Sequence, residues 1–439
     1  MATEKPTSVR IRCYDVGFGD CFLLTFAYPS RERHVLIDFG SFPKPKRKSA
    51  GNMAAIARHI HATCKGKLTA VVATHRHADH ISGFATTKKG DGSGDIIRAC
   101  EPDVVVQPWT EKLDAAVDSP GPHGFLAADR AHVAALADMD RFRQSLLRRL
   151  ADPPRGWGSA VRELGFLGED GLRNAAAVKN LESMAPPKGR RYVFCGAESG
   201  LGAVLPGVGV RVLGPPTISQ SAAIEAQRKR DDAEFWHILA ATAEGGAGAA
   251  AGDGGGAGGS PFGARYRRKT GIPGFARWTV SHADKLLRQE LLSIVRRMDE
   301  YLNNTSVILL FEIGRRKLLF PGDAQIESWS YALSKPEIQT LLAGVDVYKV
   351  GHHGSLNATP KARLWGRFRK RNRKETPGRL VTFLSTESGH HGTAKSHTEV
   401  PRATLLKALE SESRLFRTDV AKQLTKKKGV AFIEHVVKV

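Results

Sequence analysis

The sequence predicts an α+β fold, and three observations predict it. Short apolar runs of strand length recur near both ends of the chain, several of them stopping at a histidine or an aspartate. The middle instead places apolar residues at helical spacing. Within that middle, residues 242–260 are almost pure glycine and alanine, a stretch with nothing to bury that reads as a flexible linker.

Taken in order, Val9–Val16 and Cys21–Phe26 read as strands joined by Gly17-Phe18-Gly19-Asp20. A Gly-x-Gly without a following Lys-Ser/Thr is a poor phosphate loop, so a hairpin turn is the better account, with Asp20 steadying a nearby site. Leu36-Ile37-Asp38-Phe39-Gly40 ends a further run in an aspartate. Leu68–Ala73 then leads into Thr74-His75-Arg76-His77-Ala78-Asp79-His80, where neutral imidazoles and a carboxylate crowd together at a strand end. That mixture suits zinc, manganese or iron. His75 and His77 would project to one side of an extended loop, whereas Asp79 and His80 follow once the chain has begun to turn, so the spacing points to two ligand pairs and two metals. A chance cluster among 16 histidines is the competing reading.

Downstream, Val104–Val106 precedes Glu111, and Ala127–Leu150 carries Leu136, Met139, Phe142, Leu146 and Leu150 at helical spacing. Val210–Pro216 reads as a strand, Ala222–Leu239 as a helix, and Ser281–Leu302 as an amphipathic helix with Ser281 as its cap. Two more apolar runs end in candidate ligands: Leu318–Phe320 before Pro321-Gly322-Asp323, and Val347–Val350 before Gly351-His352-His353-Gly354-Ser355.

These motifs resemble the metallo-β-lactamase fold superfamily, whose hallmark is His-x-His-x-Asp-His followed by a later Asp and a later His. Within it they are most similar to the hydrolase domain of the competence DNA-uptake protein ComEC and its soluble relatives. The carrying motifs are Asp15–Asp20, Leu36–Gly40, His75–Gly83, Asn304–Phe311, Phe320–Asp323 and His352–Ser355. The resemblance implies an αββα sandwich of two mixed sheets whose core is split by insertions. Residues 1–111 and 301–439 would form its two halves, with core strands at 191–220, a helical insertion at 112–190, and a second insertion at 221–300.

The resemblance also implies roles. His75 and His77 would hold one metal, Asp79 and His80 the other, and Asp323 would bridge them. One of His352 and His353, with His353 preferred, would complete the second site, and Asp38 would orient the ligand loop without binding metal. Many superfamily members have a further ligand histidine in the interval before the bridging aspartate. His123, His132 and His237 lie there in segments that read as helix or linker, and Glu111 is the other candidate. Two divalent cations, zinc or manganese, would lower the pKa of a bound water from about 15.7 towards about 7. Asp79 would accept a proton from the attacking water, and His397 would donate to the transition-state oxygen. His390 and His391 read as ordinary surface residues.

Composition narrows the substrate. With 66 Lys and Arg against 44 Asp and Glu, the formal charge is +22, which fits a protein that meets polyanions such as nucleic acid. The densest basic run, Lys361–Lys374, contains Lys361, Arg363, Arg367, Arg369, Lys370 and Arg371, interleaved with Trp365 and Phe368. Its cations would track phosphates while an aromatic stacks a base. The competing reading is a solvated segment with Leu364, Trp365 and Phe368 turned into the core. Further basic groups lie at Lys44–Lys48, Arg265–Lys269 and Lys426–Lys428.

The five cysteines lack the close paired spacing of a zinc ribbon or disulfide scaffold and read as reduced and buried. The polar start of the chain and the lack of a long apolar run predict a cytoplasmic protein without membrane attachment. The leading expectation is a dimetal phosphodiesterase, a nuclease acting on DNA or RNA. The alternatives are a hydrolase of a small molecule such as a cyclic nucleotide, lactone or phosphorylated metabolite, and a nucleic-acid-binding subunit with a non-catalytic metal site. The insertions would be docking surfaces for a protein partner.

Overall fold

The computed structural model describes residues 4–42, 50–111, 175–225, 302–372, 378–390 and 398–439, with the single positions Pro45, Arg47, Asp129, Val133 and Gly392. His397, the linker at 242–260, His123, His132, His237, His391 and nearly all of the three expected helices of the insertions lie outside these residues.

Among the described residues the fold is mixed α/β with two mixed sheets. The first is eight-stranded, in the order β13-β14-β1-β2-β3-β4-β5-β6. Its strands are β1 (Ser8–Tyr14), β2 (Cys21–Ala27), β3 (Glu32–Phe39), β4 (Ala70–Val72), β5 (Val104–Pro108), β6 (Arg190–Val193), β13 (Thr425–Lys427) and β14 (Val430–Lys438). The second is six-stranded, in the order β12-β11-β10-β9-β8-β7. It contains β7 (Val208–Gly214), β8 (Ile308–Ile313), β9 (Arg316–Phe320), β10 (Val347–Lys349), β11 (Val381–Leu384) and β12 (Arg414–Arg417). The expected hairpin is present, with β1 antiparallel to β2 and Cys13 opposite Phe22.

Each sheet is antiparallel in one half and parallel in the other. From β3 to β6 and from β9 to β12 the neighbours run parallel. Parallel strands are covered on both faces and therefore read as unbroken apolar runs. The fully buried Ala70–Val72 and Val104–Val106 follow that rule. β1 alternates instead, with Val9, Ile11 and Cys13 buried between the part-exposed Arg10 and Arg12.

One core draws on both sheets. Phe22 meets Phe320 with ring centroids 5.6 Å apart, and Phe26 meets Phe311 at 6.0 Å. Burying each such ring is worth about 1.5–3 kcal/mol. A second core packs Leu23, Leu36, Val71 and Val105 of the first sheet against helices α1 (Met53–Thr63) and α3 (Ser93–Arg98). A third packs Ile308, Leu310, Leu319 and Tyr348 of the second sheet against α4 (Ile326–Leu333) and α5 (Ala403–Glu412). All five cysteines are buried. No described helix is long and apolar enough to cross a membrane.

The consequence for function is positional. Asp38 is the penultimate residue of β3, and the loops after β4, β9, β10 and β11, which likewise leave the carboxyl ends of parallel strands, carry His75–His80, Asp323, His352–His353 and Ser385 respectively. Ligands of α/β sheets gather at such ends.

Candidate metal centre

In the loop after β4, His75 and Arg76 form a bend and not the expected extended stretch, whereas His77 is extended. His77 caps α2 (Ala78–Ile81), a single helical turn that holds Asp79 and His80, as their place after the start of a turn predicts. This turn sits hard against the end of β3. A Cβ on Gly40 would lie 2.3 Å from the His80 nitrogen, so only glycine permits the approach. Across the site, Gly322 (φ +56°) has room for no side chain against Thr74, which brings the Asp323 loop beside the histidine loop.

Asp79, His80, Asp323 and His353, all buried, turn their donor atoms towards one another. His353 Nε2 is 2.9 Å from Asp79 Oδ2, and His80 Nε2 is 3.0 Å from Asp323 Oδ2. The remaining approaches are 3.6 Å (His353 Nε2 to Asp323 Oδ2) and 3.8 Å (His80 Nε2 to Asp79 Oδ2). Donors bound to one ion at about 2.0–2.2 Å stand roughly 2.9–3.5 Å apart. The four atoms therefore fit a metal ion that draws them slightly inward, and a borderline set of two imidazoles and two carboxylates suits zinc or manganese alike. Beside them His75 Nε2 and His77 Nδ1 share a hydrogen bond of 3.0 Å, and neither ring belongs to the group of four. The His75 and His80 rings are 4.3 Å apart.

Behind the donors, each ligand ring is fixed through its other nitrogen. His80 Nδ1 meets Asp38 Oδ2 at 2.8 Å, and Asp38 also accepts from the Thr74 N–H (2.7 Å) and hydroxyl (2.8 Å). His353 Nδ1 donates to the Ser385 carbonyl at 2.9 Å, which leaves Nε2 as the ligand atom. Asp38, His352 and His353 all hold positive φ, of 55°, 43° and 51°. Non-glycine residues in that region cost about 1–3 kcal/mol each and cluster at functional sites.

Charge explains the titration of the site. Burial opposes the charge of Asp79, but His80 and then His353 outweigh it and hold the carboxyl well below the usual range. Asp323 is likewise held down, by His80, Lys349 and His353 against burial. Burial would discharge His80 and His353, yet Asp323 and Asp79 keep both above the ordinary histidine value. His75 is driven the other way by burial and by the charges of His80 and His77. A divalent cation among these donors would take over the positive charge and release the ring protons.

Sequence reasoning missed Lys349. Its Nζ lies 2.5 Å from Asp20 Oδ2, 3.1 Å from Asp323 Oδ1 and 2.9 Å from the Gly322 carbonyl oxygen. Burial would discharge it, but Asp20 and Asp323 more than compensate and keep it protonated. Asp20 thus sits behind the ligands, 3.7 Å from His80 Nδ1 and 3.8 Å from His353 Nδ1. A lysine in an apolar strand gives no local sign of such partners.

Several expectations need correction. Glu111 is not among the convergent donors, because its carboxylate is gripped by Arg76 in a buried ion pair, with Nη2 to Oε2 at 2.7 Å and Nε to Oε2 at 2.8 Å. His352 stays at the rim with its side chain 26% exposed, Nε2 being 3.9 Å from Asp323 Oδ2. His390 is not an ordinary surface residue. It stacks on Phe18 at 5.1 Å, and Phe18 in turn packs 4.3 Å from the His353 ring. In the basic run Trp365 and Phe368 are each only 2% exposed, so neither can stack a base. Lys370 pairs with Asp346 at 2.7 Å and Arg371 with Glu412 at 2.6 Å, while Lys361, Arg363, Arg367 and Arg369 are exposed. Arg373 and Lys374 lie outside the described residues.

No protein-family model matches the chain, and no curated protein matches it.

Proposed function

We propose that the protein is a metal-dependent hydrolase of the metallo-β-lactamase fold superfamily, similar to the hydrolase domain of ComEC, and that it is a dimetal phosphodiesterase cleaving DNA or RNA. One observation carries this reading: two carboxylates and two imidazoles from loops of both sheets meet in one buried cluster. An αββα sandwich would be its finer architecture. The core shared by the two sheets and the helix-backed cores on their other faces support that description.

His75 and His77 would hold one divalent ion, Asp79, His80 and His353 a second, and Asp323 would serve both. The ions would supply Lewis acidity and an activated water at neutral pH. The chain's own residues orient and balance the site. Asp38 and the Ser385 carbonyl hold the His80 and His353 rings, and Asp79 would take the proton of the attacking water. The overall charge of +22 supports a polyanionic substrate. With Trp365 and Phe368 buried, recognition would rest on phosphates and not on stacking by these rings.

The test is cleavage of labelled single-stranded DNA, duplex DNA and RNA in zinc and in manganese, by wild type and by Asp79→Ala and Asp323→Ala. Cleavage by the wild type that both variants lose would establish the reading and name its substrate. Salt-sensitive binding without cleavage would favour a nucleic-acid-binding subunit, and turnover of cyclic nucleotides alone would favour a small-molecule hydrolase.

A further inference from the structure

Asp20, Asp38 and His80 form a second group of potential metal ligands beneath the first. Asp38 is already engaged by Thr74 and His80, and the cation beside Asp20 is supplied by the chain itself. The Lys349 side chain is 3% exposed, and its Nζ is surrounded by three oxygens, from Asp20, Asp323 and the Gly322 carbonyl. Its grip divides the Asp323 carboxylate into two unlike oxygens. Oδ1 accepts from Lys349 at 3.1 Å and from the His352 N–H at 3.1 Å, whereas Oδ2 faces His80 and His353.

We propose that Lys349 is a positioning residue of the metal centre: its ammonium group selects the oxygen that Asp323 presents to the metal and ties Asp323 to Asp20 behind the two ligand histidines. The proposal rests on the metal-centre reading above. A lysine in this place does what partners behind metal ligands do elsewhere, where their loss typically costs about 10- to 100-fold in metal affinity.

Removing Lys349 alone has two opposed effects. Losing a positive charge near the pocket strengthens the attraction for a cation, and losing the grip on Asp323 weakens the site. It also leaves Asp20 buried without its cation, so Lys349→Met by itself is expected to fold poorly. Lys349→Met combined with Asp20→Asn leaves the net charge unchanged and removes the unpaired carboxylate. It therefore isolates positioning.

The experiment is calorimetric titration of metal-stripped protein with Zn²⁺ and with Mn²⁺, well below the melting temperature, alongside thermal melts of the metal-free forms. The double variant is expected to melt within about 5 °C of wild type and to bind metal at least about tenfold more weakly. Affinity within about twofold of wild type overturns the proposal. So does a loss of affinity that comes only with collapse of the metal-free fold, because Lys349 would then hold the structure and not the ligand. If wild type takes up neither metal, the metal-centre reading fails and the proposal falls with it, an outcome distinct from a wild type and a variant that bind equally well.

Discussion

The candidate metal pocket and the basic segment from Lys361 to Arg371 both stand out in the sequence for their charge, yet they use it in opposite ways. In the pocket the charged groups face inward and one another, from Asp79 and His353 to Lys349 and Asp20. In the basic segment the apolar residues face inward, and the charges divide between clasps such as Lys370 to Asp346 and exposed cations such as Arg369. Ligand-type residues placed at the ends of apolar strands specify a location. A run of cations specifies only that something there is wet.

The sharpest way to break this contrast is to remove a ligand. If the proposed hydrolase reading holds, Asp323→Ala should abolish metal-dependent hydrolysis, a fall of roughly four orders of magnitude or about 5.5 kcal/mol in the barrier. It should also remove at least one equivalent of bound metal, read by elemental analysis of the dialysed protein. Retained stoichiometry and turnover would sink the assignment. In the basic segment the large effect is on folding. Trp365 is buried beside Phe368 and donates to Glu412 Oε2 at 3.0 Å, so Trp365→Ala should cost about 4 kcal/mol in urea unfolding, whereas Arg369→Ala should stay within about 0.5 kcal/mol. Equal costs would mean that the segment does not pack as described.

Histidine sharpens the contrast further. His80 and His353 have buried carboxylates to keep them charged, but His34, buried on β3 with Nδ1 on the Thr25 hydroxyl at 3.0 Å, is pushed by burial down to about 4, which the exposed Glu32 3.9 Å away does not outweigh. Its folded value lies below its unfolded one, so its neutral form fits the fold. Stability is intact above about pH 6.5 and is lost as the pH falls towards about 4, by up to ~3 kcal/mol. His34→Gln should shed that part of the acid sensitivity, seen as a smaller drop in the urea midpoint between neutral and acidic buffer. An unchanged drop would show that other groups carry the pH dependence.

How much of this was legible follows from distance along the chain. His75, His77, Asp79 and His80 share one loop, and the turn that holds Asp79 and His80 could be read from spacing, whereas the bend at His75 could not. Asp323 and His353 were visible as strand ends, but the meeting of His353 with Asp79, 274 residues away, is a property of the topology. Lys349 and the Arg76–Glu111 pair were hidden for the same reason. Each is an ordinary residue until a distant partner is folded against it, and Glu111 looked like a free ligand only because Arg76 could not be seen to reach it. His390 was misread because a histidine in a glycine-bounded loop has no periodicity to place it, and its neighbour Phe18 comes from the opposite end of the chain.

The smallest effect tests whether the exposed cations of the basic segment do more than keep the protein wetted. Lys361, Arg363 and Arg367 lie on the outward side of the buried Leu364 and Trp365, a few residues beyond the His352–His353 loop. If they contact phosphates, replacing all three with glutamine should weaken nucleic-acid binding by about tenfold, ~1.4 kcal/mol, at moderate salt. The slope of log affinity against log salt should become shallower by about 2 to 3. A slope unchanged within error would assign the polyanion contacts to other basic groups such as Lys426–Lys428, and would leave this segment as a packed strap whose charges serve only its solvent face.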